Sequence, residues 1–598
     1  MTSRLPIANE LILTAGPYIN ELEIEYGLDA IKNGWNKHHS DYLVRFERKV
    51  AEFCGAKFAM ATSSCTGAMH LTLIAMGIGE NDEVIVPELT WIATASAVCY
   101  VKAKPIFCDV DPITWTMDPK SVEKLITAKT KAIMPVHLYG HPCDMDPLYE
   151  LAKKHNLKII EDAAQSMGSE YKGKRTGGLG DAGCFSFQGA KAIVTGEGGM
   201  FLTNDEDIYN KVRFWGDHGR HATKPLYNIA VGYKYKMSNV QAAIGCAQME
   251  KADEIVAKKR QIFSWYKERL SDVEELQLNG EESWAKNIFW MSSVILSDKI
   301  NMTRDDFIAE LKSRMIDSRP IFYPISSFDM FETQNNPNAY HVGLRGINLP
   351  SGHFRTEEEI DYICGHIRQM LGRDIGKCNV LLSGDFLLKQ NVEHEIKQSK
   401  QKSIEIPILS NGNKVGSLVS VTSESLSSIE DIKLFAKWRE NAQQYFPSQR
   451  EITMEGTRSW LEKALLSVSD RMLFWVLDEN SDKIGHIGLF RFDYRKSSCE
   501  LDNVIRGEKA WHELMKCASL ALIKYTKDVL KMKDIFLRCF SDNQKAIALY
   551  EKIDFKEINR VPLEKRDGNG ITSWVECHDR YKQIERYFVT MQHGVNCF

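Results

Sequence analysis

DAGCFSFQGAKAIVTGEGGMFLTN, residues Asp181–Asn204, reads as a short apolar strand, a sharp polar turn carrying one lysine, a glycine-rich turn and a second strand. A lysine placed where the chain stops being strand-like, between small residues, can reach into a cleft. Its flexible stem carries an amine able to form a Schiff base with a carbonyl. A lysine taken at random is an ordinary surface residue, so the assignment of Lys191 depends on what the rest of the chain supplies around it.

Upstream of this stretch, from Lys57, the rhythm is strand, helix, strand, helix. KFAMAT, EVIVP, KPIFCDV, KAIMPV and LKIIED are apolar runs of strand length, separated by helical patterns at Thr66–Met76, Ala93–Val101, Pro119–Thr127 and Met145–Lys154. This alternation predicts an α/β fold with a mostly parallel sheet covered on both faces. Ligands of such sheets bind beyond the carboxyl ends of the strands. After Asn204 a helix-rich region follows, then a mixed segment to about Arg373. Residues 374–413 are polar, contain NVEHEIKQSKQKS, and read as a linker. Residues 414–598 then form a second mixed α/β unit, long enough to bury its own core.

The chain has 598 residues, 43% of them hydrophobic and 26% charged, with a formal charge of −4. That balance gives no support to a nucleic-acid partner, which favours a strongly basic face. No apolar run reaches membrane-spanning length, and MTSRLPIANELILTAG lacks the layout of a secretory signal. The 14 cysteines form no CxxC pair, so no metal site is expected. They read as buried, reduced thiols of a cytoplasmic protein.

The strand ends supply the chemistry. After KFAMAT comes Ser63-Ser64-Cys65-Thr66-Gly67 opening a helix, where hydroxyls and free amides can cradle a phosphate, or merely cap the helix. After EVIVP comes Thr90-Trp91, whose indole can stack on a flat ring or pack in a core. After KIIED, Asp162 can keep a ring nitrogen protonated, with Gln165 three residues on. Ser186, just before the lysine turn, adds a hydroxyl. A phosphate cradle, an aromatic stacker, a ring-nitrogen acid and a Schiff-base lysine together are what pyridoxal phosphate requires.

The motifs SSCTGAMHLTL, PELTWIATASAV, PVHLYGHPCDMD, EDAAQSMGS, CFSFQGAKAIVTGEGGM, FWGDHGR and GYKYKMSNVQAAIGCAQME resemble, in order and spacing, the pyridoxal-phosphate-dependent nucleotide-sugar aminotransferases of the DegT/DnrJ group. The resemblance covers Leu5–Arg373, within a first domain of residues 1–373, and implies the aspartate aminotransferase type of fold. It implies that Lys191 holds the cofactor covalently and shuttles the proton, that Asp162 partners the ring nitrogen, and that Gln165 and Trp91 flank the ring. Ser64, Cys65, Thr66 and Ser186 would surround the phosphate. Lysine at position 191 argues against the dehydratase relatives that carry histidine there. GDHGR (Gly216–Arg220) and SRPIFYPIS (Ser318–Ser326) look most like perosamine-synthase-type enzymes, which aminate carbon 4 of a GDP-4-keto-6-deoxyhexose, with glutamate as donor. Many relatives have asparagine where this chain has Lys234, a position that serves the phosphate site of a neighbouring subunit. A lysine there can still meet a phosphate as a point charge, so a homodimer or larger homo-oligomer is expected.

In the second unit, SDNQKAIALYEKIDF near the end resembles GNAT-type N-acetyltransferases. The resemblance places Asn543 beside acetyl-CoA and makes Tyr550 the acid that protonates the departing thiolate. Glu500 and Asp502 are candidates to deprotonate the acceptor amine, with His486 a weaker third. Two departures stand out. The pyrophosphate loop, Arg506–Trp511, reads RGEKAW, with Lys509 and Trp511 at positions that are usually small, and Asp554 replaces a usual glycine. CoA would then be held partly by Arg506 and Lys509. An aminotransferase makes a primary amine and an acetyltransferase consumes one. The expectation is a bifunctional enzyme making an N-acetylated amino-deoxy sugar nucleotide for a surface polysaccharide. The alternative is an active aminotransferase carrying a non-catalytic binding module.

Overall fold

The structure is a computed structural model that describes residues 11–376, 378, 383–449, 451–494, 496–568, 571–577 and 586–594. The chain divides into two compact units, parting between Val380 and Leu381.

The first unit is built on a seven-stranded sheet. Its strands run in the order Phe58–Thr62, Gly199–Thr203, Ala182–Ser186, Lys158–Asp162, Thr130–Ile133, Glu83–Pro87 and Lys104–Cys108. All are mutually parallel except Gly199–Thr203, which is antiparallel to both neighbours. The antiparallel strand is the second half of the lysine stretch, and the turn between its two strands is what reverses the chain. Both faces of the sheet are covered. Met60, Leu71, Val84, Ala132, Ile160 and Phe201 fill one core, and Phe46, Phe185, Phe187, Trp290 and Ile255 belong to another. Continuous apolar strands are therefore the expected pattern, and the burial is nearly complete along Glu83–Pro87, Lys158–Asp162 and Gly199–Thr203, while the edge strand Lys104–Cys108 is buried only at its end. A four-stranded sheet of Leu276–Leu278, Ser293–Leu296, Gly346–Asn348 and Arg319–Pro320 forms the later part of the unit.

The second unit is a ten-stranded sheet in which every pair is antiparallel except one. Ser498–Arg506 runs parallel to Asp534–Phe540, and their pairing covers only Ser498–Glu500 against Asp534–Phe536. Beyond Glu500 the two strands part, leaving backbone groups of both facing a gap.

Residues 374–413 differ from the linker expected of them. They hold the helix Ser383–Gln401 and the strand Glu405–Ser410, which pairs with Asn413–Ser420. The helix is polar overall, but Leu388, Val392 and Ile396 recur every four residues and pack into the second unit's core. Pro407 is tolerated because its strand lies at the sheet edge.

Candidate functional site

The residues predicted to surround the lysine come from four strand ends. Ser64 caps the helix Cys65–Ala75, its Oγ accepting from Gly67 N–H at 3.1 Å. The amides of Cys65 and Thr66 have no acceptor one turn back within the helix, so they offer donors to an anion, and the helix dipole adds to this. Gly199 lies flush beneath. A Cβ there would come within 2.4 Å of Ser64 C and 2.5 Å of Cys65 N, so only glycine lets the strand approach the helix start. Cys65 is buried, with its Sγ 3.4 Å from Cys184 O. Ser186 ends its strand, and its Oγ takes only a long 3.4 Å contact from Gln188 N–H.

Asp162 ends the Lys158–Asp162 strand and is buried. Thr94 Oγ1 donates to its Oδ2 at 2.7 Å and Ala164 N–H to its Oδ1 at 3.1 Å, so the carboxylate is fixed in direction. Gln165 is held by accepting from Tyr139 N–H at 2.9 Å. Trp91 is 59% exposed and leans on Phe322, with ring centroids 5.9 Å apart. Beneath the site His137 and Glu161 form a buried pair. Cys143 N–H donates to His137 Nδ1, so Nε2–H donates to Glu161 at 2.9 Å, and Glu161 also accepts from the amides of Gly177, Leu179 and Gly180. That pair pins two loops to the strand carrying Asp162.

The turn bearing Lys191 is closed by Lys191 N–H to Gln188 O at 2.8 Å and by Gly189 N–H to Gly196 O at 2.8 Å, with Gly196 at φ +86°. Burial pushes the Lys191 amine down to about 8, although Asp162 and Cys65 pull the other way. An amine poised near neutrality is the form a carbonyl-trapping lysine needs. The donor set thus suits pyridoxal phosphate: hydroxyls and amides for the phosphate, Asp162 for the ring nitrogen, Trp91 for the ring and Lys191 for the aldehyde. Lys234 is exposed and pairs through its backbone with Asp217, while Lys236 makes the ion pair to Asp217 at 2.9 Å, and Tyr235 and Lys236 lie against Ser63 and Thr62.

Sequence reading missed Thr94, Tyr139 and Trp290. Thr94 stands one helical turn after Trp91 in TWIAT, a spacing that could have flagged it. Tyr139 and Trp290 carry no local signal, since an aromatic in an apolar run is ordinarily core.

In the second unit, Glu500 and Asp502 lie on one face of the strand Ser498–Arg506, beside the gap. Glu500 is paired with Arg491 at 3.2 Å and Arg538 at 3.3 Å. Asp502 accepts from Asn503 Nδ2 at 2.7 Å, and burial raises its pKa above the usual carboxylate range. Tyr550 is buried, which raises its phenol, and the Asp502 charge reaches it, so it remains a proton donor. His486 is fully buried. Its Nδ1 donates to Asn503 O at 2.9 Å, and burial pushes the ring down to about 4. It holds the kink at Asn503 (φ +52°), where the strand pairing slips, and does not face solvent as a base would.

Asn543 caps the helix Gln544–Glu551 through Ala546 N–H. Arg506 is turned onto its own loop, donating to Glu508 O and Ala510 O. Gly507 and Glu508 amides both donate to Ile484 O. Among the described residues the next amides, Lys509, Ala510 and Trp511, have no acceptor, and Lys509 is exposed beside them. These groups can meet a pyrophosphate. Asp554 sits at φ +67°, the conformation for which a glycine would be the unstrained choice.

A doubly covered, mostly parallel sheet with a lysine turn facing an aspartate at a strand end defines a pyridoxal-phosphate-dependent transferase, and the splayed parallel pair of the second unit defines an acyltransferase-type sheet. Residues 17–368 match the DegT/DnrJ/EryC1/StrS aminotransferase family, and the chain belongs to it. Residues 425–556 match the acetyltransferase (GNAT) domain. The chain is similar to the GDP-perosamine synthase of Caulobacter vibrioides, 42% identical over 369 residues that span 60% of this chain and 98% of that protein. The GDP-perosamine synthase of Escherichia coli O157:H7 is 41% identical over 59% of this chain and 96% of its own length. Among solved structures, the aminotransferase from Psychrobacter cryohalolentis aligns with a TM-score of 0.57 at 29% identity, covering 60% of this chain and 99% of its own. The protein is thus a sugar aminotransferase with a GNAT domain.

Proposed function

We propose that the first unit transfers an amino group from glutamate to carbon 4 of a GDP-linked 4-keto-6-deoxy sugar, and that the second acetylates the new amine from acetyl-CoA. The observation that carries the first half is the convergence of Lys191, Asp162 and the Cys65 helix start from separate strands. The likeness to two GDP-perosamine synthases supports the sugar and the nucleotide.

Pyridoxal phosphate, when bound, supplies an electron sink for the carbanion formed at the substrate carbon. The protein's own work is to hold and to move protons. The Cys65 and Thr66 amides with the Ser64 and Ser186 hydroxyls hold the phosphate. Asp162, fixed by Thr94, keeps a cation opposite it. Lys191 Nζ, near neutrality, takes a proton from one face and returns it.

For the second half, the gap beyond Glu500 supports an extended thioester arm lying between the strands. Asp502 is the better base, because Glu500 is neutralised by two arginines. Tyr550 supplies the proton for the departing thiolate. Arg506 is engaged within its own loop and the Gly507 and Glu508 amides are taken by Ile484 O, and that observation favours the second reading, a GNAT-like module that does not turn over.

Incubation with GDP-4-keto-6-deoxymannose, glutamate and acetyl-CoA, followed by mass spectrometry, tests both halves. An amino sugar bearing one acetyl group is expected. An amino sugar that never gains the acetyl mass sinks the second half, and unchanged keto sugar sinks the first. Calorimetric titration with acetyl-CoA separates the second reading, which expects no heat.

A further inference from the structure

Trp290 is buried between the strands Ala285–Lys286 and Ser293–Leu296, and every polar group on it is engaged. Its N–H donates to Tyr139 O at 2.9 Å, and its carbonyl accepts from Lys259 Nζ at 3.1 Å. Lys259 is buried as well and ties the same point to Ser351 O at 2.6 Å. The indole Nε1–H donates to Ala190 O at 2.8 Å. Ala190 directly precedes Lys191, so the indole grips the turn that presents the lysine. Lys191 Nζ lies 4.1 Å from the Trp290 ring centroid, within the range where a ring attracts a cation. The other titratable groups acting on Nζ are Asp162 and Cys65. Tyr139 stacks on Trp290 at 5.9 Å and on Phe322 at 5.5 Å, so the indole is also braced through an aromatic row that ends at Trp91.

The aminotransferase reading, on which this inference rests, requires Lys191 to be a free amine for part of each turnover. A free amine on four rotatable bonds strays unless something holds it. We propose that Trp290 is the positioning residue for Lys191: its indole N–H fixes the Ala190 carbonyl, and its ring face receives the Lys191 ammonium whenever the amine is free. The ring face favours the cation and burial disfavours it. The lysine therefore rests near its balance point, held over the ring face at the tip of its turn.

The test uses the full chain freed of cofactor and labelled with carbon-13 at lysine Cε, with the Lys191 signal identified by its loss in Lys191→Arg. Its titration midpoint is read by NMR in the wild type, Trp290→Leu and Trp290→Phe. Loss of the ring face in Trp290→Leu should lower the midpoint by about one pH unit, roughly a tenfold fall in the ammonium-to-amine ratio. Trp290→Phe keeps a weaker face and should give a smaller fall. If the leucine variant does not fold, the phenylalanine variant decides alone. A midpoint that is unchanged or raised in the folded variants overturns the proposal. Because no cofactor is present, that failure is distinct from failure of the aminotransferase reading, which would show as wild-type protein forming no borohydride-stable pyridoxal phosphate adduct at Lys191.

Discussion

Asp162, proposed above as the partner of the cofactor's ring nitrogen, also acts on Lys191. Its charge raises the lysine's pKa against the larger lowering by burial, which leaves the amine at about 8. The neutral amine is the nucleophile, so uptake of pyridoxal phosphate by cofactor-free protein should speed up as pH rises through about 8. In Asp162→Asn the favourable charge is gone, and that midpoint should move to lower pH, while amination falls at least about a hundredfold. Stopped-flow absorbance of cofactor uptake against pH measures the first, and a midpoint that stays put shows that the two side chains are not coupled. In the second unit burial raises the pKa of both candidate carboxylates, and the arginine pairs of Glu500 are what separate them. Asp502→Asn should cut acetylation by about 10²–10⁴-fold, the usual worth of a positioned base, and Glu500→Gln by much less. Burial raises the Asp502 pKa, so the base must lose its proton at a higher pH than an ordinary aspartate. The acetylation rate should therefore drop as pH falls through a midpoint above the ordinary carboxylate range. Lys191, Asp162 and Trp91 were legible in the sequence because each is a chemically distinctive residue at or beyond the end of an apolar strand. Trp290 and Tyr139 were not, because what assigns them is a distance across about a hundred residues of chain.

At the scale of elements, the phosphate cradle depends on how closely the strand Gly199–Thr203 approaches the helix Cys65–Ala75. Gly199→Ala places a methyl within 2.5 Å of the Cys65 nitrogen, and neither backbone can yield without shifting the amides that face the phosphate. The expected result is at least tenfold weaker pyridoxal phosphate binding by spectroscopic titration, and about 1–3 kcal/mol lost from cofactor-free stability by urea unfolding. Unaltered cofactor affinity would mean that this contact does not set the cradle. The strands around it were legible as apolar runs, and so was the reversal at the glycine-rich turn. The helix Ser383–Gln401 was not. Its polar residues outnumber Leu388, Val392 and Ile396, so a composition-based reading takes it for a connector. The strand that follows it is an edge strand with a proline in it, which weakens the pattern further. The pyrophosphate loop is only partly legible for a related reason. RGEKAW announces missing glycines, but not that Arg506 turns back on its own carbonyls while the Lys509–Trp511 amides stay available.

For the molecule as a whole, two properties follow from features found in one unit at a time. The helix Glu21–Asn33 and the turn after it expose Ile24, Leu28, Ile31 and Trp35 at helical spacing, and the segment after Arg220 exposes Leu226 at 95% and Val231 at 96%. Apolar surface at that density is of the kind that self-association covers, and it fits the homodimer or larger homo-oligomer expected from the sequence. Wild-type protein should sediment at twice the chain mass, and Ile31→Glu with Trp35→Glu should shift it toward monomer; a wild type that sediments as monomer removes the dimer. The second is the proposed independence of the two centres. Lys191 and Tyr550 lie in separate compact units, each with its own core, so each centre can be tested by itself. Lys191→Ala should abolish amination yet leave acetylation of a supplied GDP-amino sugar within about twofold of wild type. Tyr550→Phe should lower acetylation by about 10²-fold or more and leave amination untouched, with unacetylated amino sugar accumulating. Each variant is assayed for both products by mass spectrometry in one mixture. If Lys191→Ala, shown to be folded, also loses acetylation of the supplied amine, then the second centre is not self-sufficient and the two-site account fails.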